Sequence, residues 1–368
     1  MNFIPVAKPS LTRLETKYVT QCLKSTWISS SGHFIDKFER QFAKLTQSKY
    51  AISVTNGTAA LHLALLALDI GPGDEVIVPA LTFVATANAV RFVGATPIFV
   101  DIDPHTWTID SSLLPKLITR KTRAIIPVHL YGYPCDMDPI LAIAKRYKLE
   151  IIEDAAEAHE AMYKGKKVGS MGTMGCFSFY GNKIITTGEG GMITLNNAKL
   201  KNKIELLKNH GMSKTRRYFH PIIGYNYRMT NVQAAIGCAQ IEKLAQIMSN
   251  RRRINDTYRT LLKDLSGIVL QPQNSDIQSV CWLFSLLITP KYGKTRDQLA
   301  KYLKNKNIDS RPFFYPLTSF AMYKSNTKFP QIELVSIQGL NLPSFPEITH
   351  QQLLYITTAI KQYASKNK

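Results

Sequence analysis

The sequence predicts an α/β protein built on a mostly parallel central sheet, with a smaller α+β unit behind it. Three observations carry this. Short apolar runs alternate with helical segments through roughly the first 250 residues, the pattern of strands covered on both faces. Glycine-containing or polar turns follow several strand ends, where open α/β sheets bind ligands. From Arg251 onward the regular alternation stops, which divides the chain into a large domain over 1–250 and a small one over 251–368.

The first element is an amphipathic helix. It begins near Ser10-Leu-Thr12, whose hydroxyls can cap it, and carries Tyr18, Val19 and Leu23. Trp27-Ile-Ser-Ser-Ser-Gly32 ends it, either as a plain loop or as an oxyanion site. Phe34, Phe38 and Phe42 then form one face of a helix over 34–45, a core stripe by its spacing. Residues 50–55 read as the first strand. The Asn56-Gly57-Thr58 turn leads into a helix over 59–68. Further strands fall at 75–79, 96–101, 122–128 and 149–154, with helices over 84–93 and 139–148. Beyond the sheet, 197–228 is an interrupted cationic stretch holding Lys199, Lys201, Lys203, Lys208, His210, Lys214, Arg216, Arg217 and His220. It reads as a solvated loop or as a receiver for a diphosphate through charge-assisted bonds. A long helix over 231–247 follows. The small domain is expected to hold helices at 255–265, 296–306 and 349–366, a strand at 280–288 and an extended stretch at 308–314.

The chemistry centres on Lys183. An apolar strand over 176–180 is broken by Gly181-Asn182, residues that tolerate left-handed backbone angles. Lys183 follows at once, and a second strand begins at 192 after a glycine-rich turn. An ammonium between buried strands is costly unless its pKa shifts or it reacts. A desolvated lysine is a good imine-forming nucleophile, and the glycines admit a ligand close to the backbone. The competing reading is a solvated turn lysine. If Lys183 carries pyridoxal phosphate as a Schiff base, the site needs three more parts. Asp154, at a strand end, suits the anion facing the pyridine nitrogen, or else it is a helix cap. Gly57, Thr58 and Ala59, where a helix opens after a strand, suit the phosphate together with Ser178. Phe83 is either a lid over the ring or a core residue.

Composition narrows the alternatives. The 368 residues are 45% hydrophobic, enough for a substantial core, and carry a formal net charge of +20. That charge favours anionic partners, but the lysines are scattered. No zinc-finger spacing, RNP signature, basic amphipathic helix, HExxH or Walker loop occurs, so neither nucleic acid, membrane nor metal is an expected partner. Five separated cysteines without a CxxC pair suit a reducing compartment. There is no signal-like apolar core and no apolar run near the ~20 residues of a membrane helix. The expected location is cytoplasmic.

The motifs occur together in a recognisable order: Trp27-Ile-Ser-Ser-Ser-Gly32, Thr55-Asn-Gly-Thr-Ala-Ala-Leu-His-Leu-Ala64, Gly71-Pro-Gly-Asp-Glu-Val-Ile-Val-Pro79, Glu153-Asp-Ala-Ala-Glu-Ala-His159, the stretch from Ser178 to Gly191, Gly224-Tyr-Asn-Tyr-Arg-Met-Thr230, Arg311-Pro-Phe-Phe-Tyr-Pro316 and Leu342-Pro-Ser-Phe-Pro346. Over nearly its whole length the chain resembles the DegT/DnrJ/EryC1/StrS sugar aminotransferases, which have the fold type I, aspartate-aminotransferase-like architecture. The resemblance implies that Lys183 holds the cofactor aldehyde and moves the proton in catalysis. It implies Asp154 at the pyridine nitrogen, Thr58, Ala59 and Ser178 on the phosphate, and Phe83 stacked on the ring. Glu157 falls where the family contacts the ring hydroxyl. Asn226 matches an asparagine that reaches the phosphate of a neighbouring subunit, so a homodimer with shared active sites is implied. His159 is either an orienter of Asp154 or a packed histidine. Ser29, His210, Arg228 and Phe313 are the implied substrate contacts.

The implied reaction moves an amino group from L-glutamate, through the pyridoxamine phosphate form of the cofactor, to C4 of a nucleotide-linked 4-keto-6-deoxy sugar. The pattern points first to GDP-4-keto-6-deoxy-D-mannose as substrate and GDP-perosamine as product, for an O-antigen or other surface glycan. UDP- and dTDP-linked sugars are the alternatives within the family. A lysine at 183 argues against the related 3-dehydratases, which carry histidine there. A non-catalytic binding or regulatory protein of the same fold is the alternative of a different class.

Overall fold

The computed structural model describes residues 2–325 and 327–365. Its main sheet is built from β1 (Tyr50–Val54), β2 (Glu75–Pro79), β3 (Thr96–Val100), β4 (Thr122–Ile125), β5 (Glu150–Asp154), β8 (Met174–Ser178) and β9 (Gly191–Leu195). The short strands β6 (Met162–Tyr163) and β7 (Lys166–Lys167) form a side hairpin. The seven-stranded order is β1-β9-β8-β5-β4-β2-β3. Pairings β8–β5, β5–β4, β4–β2 and β2–β3 are parallel, and β9 runs antiparallel to both of its neighbours. The expected α/β architecture with a mostly parallel sheet is therefore observed.

The register brings the future site residues to one edge. Asp154 ends β5 opposite Cys176 of β8. Ser178 ends β8 opposite Gly191, and Gly191 also pairs with Val54, the last residue of β1. The carboxyl ends of β1, β5 and β8 thus converge, and the turns after them share one neighbourhood. β1, β5, β8 and β9 are buried along almost their whole length, because helices cover both faces. The Phe34–Phe38–Phe42 stripe sits on helix His33–Leu45 and packs against Phe177 and Phe179.

A second sheet, β10 (Ile268–Leu270), β12 (Phe284–Ile288), β14 (Gly339–Leu342) and β13 (Arg311–Pro312) in that order, is antiparallel throughout. Its own apolar cluster includes Ile254, Tyr258, Leu286, Leu340, Ile356 and, from the other end of the chain, Ile4. β11 (Ile277–Gln278) joins the β6–β7 hairpin.

Several expected elements shift. The helix over 231–247 is two helices, Asn231–Glu242 and Leu244–Leu262, separated at Lys243, whose φ of −107° and ψ of 9° leave the helical region. The second of these absorbs the helix expected at 255–265. The strand expected from 280 starts only at Phe284, because Cys281 turns the chain with a φ of 49°. The cationic stretch is not all loop: Asn197 caps helix Ala198–Lys208, accepting from the amides of Lys199 and Leu200. Several of its cations are paired, Lys201 with Glu205, Lys203 with Asp69 and Lys208 with Glu39. Helix Pro330–Gln338 was not anticipated. The last helix is His350–Ser365, and the expected end at 366 lies outside the described residues.

Candidate active site

The turn carrying Lys183 is closed by its backbone amide, which donates to the Tyr180 carbonyl at 2.9 Å. Neither Gly181 nor Asn182 has positive φ, so the left-handed geometry expected there is not used. The turn is held from outside instead. Trp282 Nε1–H donates to the Asn182 carbonyl at 2.7 Å. Lys183 Nζ lies 3.9 Å from the centroid of the same indole and 3.4 Å from Glu157 Oε1. The lysine side chain is only 12% exposed.

Asp154 and Glu157 face this amine from the end of β5 and the turn after it. Asp154 accepts from the Thr86 hydroxyl at 2.7 Å and from the Ala156 amide at 3.2 Å. Glu157 Oε2 accepts from the Tyr131 amide at 2.8 Å. Burial pushes both carboxyls up, and the Lys183 charge pulls both back down. The Asp154 charge raises Glu157 further. Lys183, Asp154 and Glu157 therefore form one electrostatic unit.

Period-two alternation along β5 sends the preceding residue the other way. Glu153 is fully buried and accepts from the amides of Gly169, Met171 and Gly172, each at 2.7 Å. It also bonds His129 Nε2 at 3.1 Å. His129 Nδ1 accepts from the Cys135 amide, so the proton sits on Nε2 and the ring is the donor to Glu153. This network braces the far side of the strand end.

The phosphate expectation can be tested on the Gly57 turn. The first amides of a helix have no intrahelical acceptor. In helix Gly57–Ala67 the Asn56 side chain takes the Ala59 amide at 2.8 Å, which leaves the amides of Gly57 and Thr58 pointing out with the dipole's positive end. A Cβ on Gly57 would stand 2.8 Å from Ser178 Cβ, so glycine is needed for helix and strand to approach. The Ser178 hydroxyl accepts from the Tyr180 amide at 3.3 Å and keeps its own proton to donate. Outward amides, a hydroxyl, a buried carboxylate and a shielded amine fit the phosphate, ring nitrogen and aldehyde of pyridoxal phosphate.

Phe83 is 56% exposed and packs at 5.7 Å on Phe314. Phe314 stacks on Tyr131, and Tyr131 on Trp282, so an aromatic wall runs from Phe83 to the lysine. Phe313, expected to touch substrate, is 1% exposed and wedged between Trp107 and Tyr131. One residue of backbone register separates it from Phe314, the aromatic that does face Phe83. His159 packs among Phe42, Phe177 and Phe179 with no hydrogen bond to either ring nitrogen. Of its two readings, the packed histidine is the one seen.

Asn226, Arg228 and His210 form a second cluster. Arg228 donates to Asn226 Oδ1 at 2.7 Å and to Asn209 Oδ1 at 2.7 Å, and lies 3.3 Å from His210 Nε2. No hydrogen bond, ion pair or ring contact joins this cluster to Lys183, Asp154 or Glu157 among the described residues. Ser29 is exposed, and its carbonyl accepts from the Asn231 amide at 2.6 Å. Sequence reasoning missed Thr86, Tyr131, Trp282 and Phe314. Thr86 stands four residues after Thr82, a weak signal; Trp282 lies within the apolar run at 280–288 that reads as a strand.

The DegT/DnrJ/EryC1/StrS aminotransferase family matches residues 9–361. The chain belongs to that family. It is 47% identical over 367 residues to the GDP-perosamine synthase of Escherichia coli O157:H7, covering 99% of this chain and 100% of that one. The GDP-perosamine synthase of Caulobacter vibrioides is 48% identical over 362 residues, 98% of each chain. Among solved structures, Spr1654 of Streptococcus pneumoniae, described as a sugar aminotransferase, superposes in its PLP form with a TM-score of 0.93 at 29% identity over 99% of each chain, and its PMP form is also known. The chain is thus a pyridoxal phosphate-dependent sugar aminotransferase of the type I fold.

Proposed function

We propose that this aminotransferase moves the amino group of L-glutamate to C4 of GDP-4-keto-6-deoxy-D-mannose, giving GDP-perosamine for an O-antigen or similar surface glycan. The observation that carries the choice of sugar is the 47% identity, end to end, with the E. coli GDP-perosamine synthase. When bound, pyridoxal phosphate supplies an amine-capturing aldehyde and a protonated ring that takes up electron density. With the cofactor bound, Lys183 Nζ would carry a proton from Cα of glutamate to the cofactor carbon in the first half, and from that carbon to C4 of the sugar in the second. Glu157, at 3.4 Å, would hold the ammonium form of that amine near the reacting carbons during each transfer. Asp154 keeps a negative charge opposite the ring nitrogen, with the Thr86 hydroxyl and Ala156 amide fixing its orientation. The amides of Gly57 and Thr58 and the Ser178 hydroxyl would hold the phosphate; Ala59, expected there too, has its amide committed to Asn56 Oδ1, and Phe83 would cover one side of the ring.

The same reading makes the enzyme a homodimer. Asn226, Arg228 and His210 lie at the surface, make no contact with the lysine of their own chain among the described residues, and would serve the site of a second copy. Ser29 would line the substrate entrance. The division near residue 250 is part of the reading, supported by the separate apolar cluster around β12 and β14, as is a cytoplasmic location. The test is to supply L-glutamate, pyridoxal phosphate and GDP-, UDP- or dTDP-4-keto-6-deoxy sugars, and to follow amine gain by mass spectrometry. The GDP sugar should be aminated fastest. Faster amination of the UDP or dTDP sugar would overturn the choice of nucleotide.

A further inference from the structure

Two threonines outside every motif that suggested the cofactor stand behind Asp154. Thr86 lies in the first turn of helix Ala85–Phe92 and is 1% exposed; Thr82 precedes that helix and is 2% exposed. Their hydroxyls are 3.0 Å apart. Thr86 Oγ1 lies 2.7 Å from Asp154 Oδ2. An ionised carboxylate has no proton to give, so Thr86 is the donor there. Its hydroxyl has a single proton, already committed, so between the two threonines Thr82 donates and Thr86 accepts. The chain of donation runs one way: Thr82 to Thr86 to Asp154.

We propose that Thr86, backed by Thr82, is a positioning residue for the ring nitrogen of the cofactor. The polarised hydroxyl pair occupies Oδ2 and favours the charged carboxylate, and together with the Ala156 amide on Oδ1 it fixes the orientation of the group. Successive hydroxyls in a chain strengthen one another in a dry interior. The effect opposes burial, which disfavours the charge on Asp154. The proposal rests on the reading of Asp154 as the partner of the ring nitrogen.

The test compares pyridoxal phosphate with its 1-deaza analogue, in which carbon replaces the ring nitrogen while aldehyde and phosphate remain. Affinities of wild type, Thr86→Val and Thr86→Ser are measured for both by equilibrium dialysis on the intact chain. A hydrogen bond to a charged acceptor makes the expected loss in Thr86→Val about tenfold for pyridoxal phosphate. The analogue should bind Thr86→Val and wild type alike, and Thr86→Ser should restore affinity for the natural cofactor. Thr82→Val, which leaves the direct bond in place, should show a smaller loss with the same selectivity, and stands in if Thr86→Val does not fold. Equal losses for both ligands, or no loss for either, would overturn the proposal. Wild type binding both ligands equally would instead overturn the placement of Asp154 at the nitrogen, and no binding at all would overturn the cofactor assignment.

Discussion

Glu153 and Asp154 are chemically alike, adjacent and buried, yet the alternation of β5 gives them different work, and Glu153→Gln separates the two. The wild-type carboxylate accepts on both oxygens: Oε1 from the amides of Met171 and Gly172, Oε2 from Gly169 and His129. A glutamine keeps one acceptor oxygen. Placed toward Met171 and Gly172, it leaves its NH2 against the Gly169 amide and the His129 Nε2–H. His129 cannot become an acceptor there without giving up the Cys135 amide at Nδ1. In the other orientation two backbone amides lose their acceptor. Either way two buried donors go unpaired, at about 1–3 kcal/mol each, so the expected loss is about 3 kcal/mol. Urea unfolding of the cofactor-free protein, followed by far-UV circular dichroism, should show a lower midpoint at unchanged slope. Affinity for pyridoxal phosphate in the folded variant should be preserved, because Glu153 faces away from Asp154. A stability loss under about 1 kcal/mol would refute the account of the network.

The other expectations follow from single contacts. Gly57→Ala forces a Cβ to within 2.8 Å of Ser178 Cβ; affinity for pyridoxal phosphate should fall while that for pyridoxal, which lacks the phosphate, should not, as dialysis with both will show. Asp154→Asn should weaken pyridoxal phosphate by about tenfold or more without loss of thermal stability in the cofactor-free protein, since burial already disfavours this charge; differential scanning fluorimetry and dialysis read the two effects. Burial pushes His159 from 6.5 down to about 3, so its neutral ring supports the fold fully above pH 6.5 and that support drains away as pH falls toward 3. His159→Leu should therefore flatten the stability–pH curve over that window, measured as the wild-type-minus-variant difference in unfolding midpoint.

Much of the fold was legible because local signals agreed with the packing. The strand at 75–79 is bounded by the Gly71-Pro-Gly-Asp74 turn and ends as read. The Phe34, Phe38 and Phe42 spacing announced a buried helical face, and all three are buried. The convergence of Lys183, Asp154 and Gly57 followed from all three lying at or just beyond strand ends. What stayed hidden depends on contacts between distant segments. Trp282 meets the Lys183 turn from a hundred residues away, and nothing in the 280–288 run separates an indole supporting a turn from one filling a core. Tyr131 contributes its backbone amide to Glu157, which no side-chain pattern reveals. Phe313 and Phe314 differ by one step of register, and an extended segment's sequence alone does not say which one points inward. The Lys-rich helix Ala198–Lys208 lacks a strong apolar stripe, and only the Asn197 cap marked its start.

The central claim is that the amine at 183 is the one that holds the cofactor, and reductive trapping tests it directly. The protein is saturated with pyridoxal phosphate, reduced with borohydride, digested and mapped by tandem mass spectrometry. The account expects one phosphopyridoxyl group per chain, on Lys183, and none after Lys183→Ala in a protein with unchanged circular dichroism. A label on another lysine, or undiminished labelling in the variant, would contradict it.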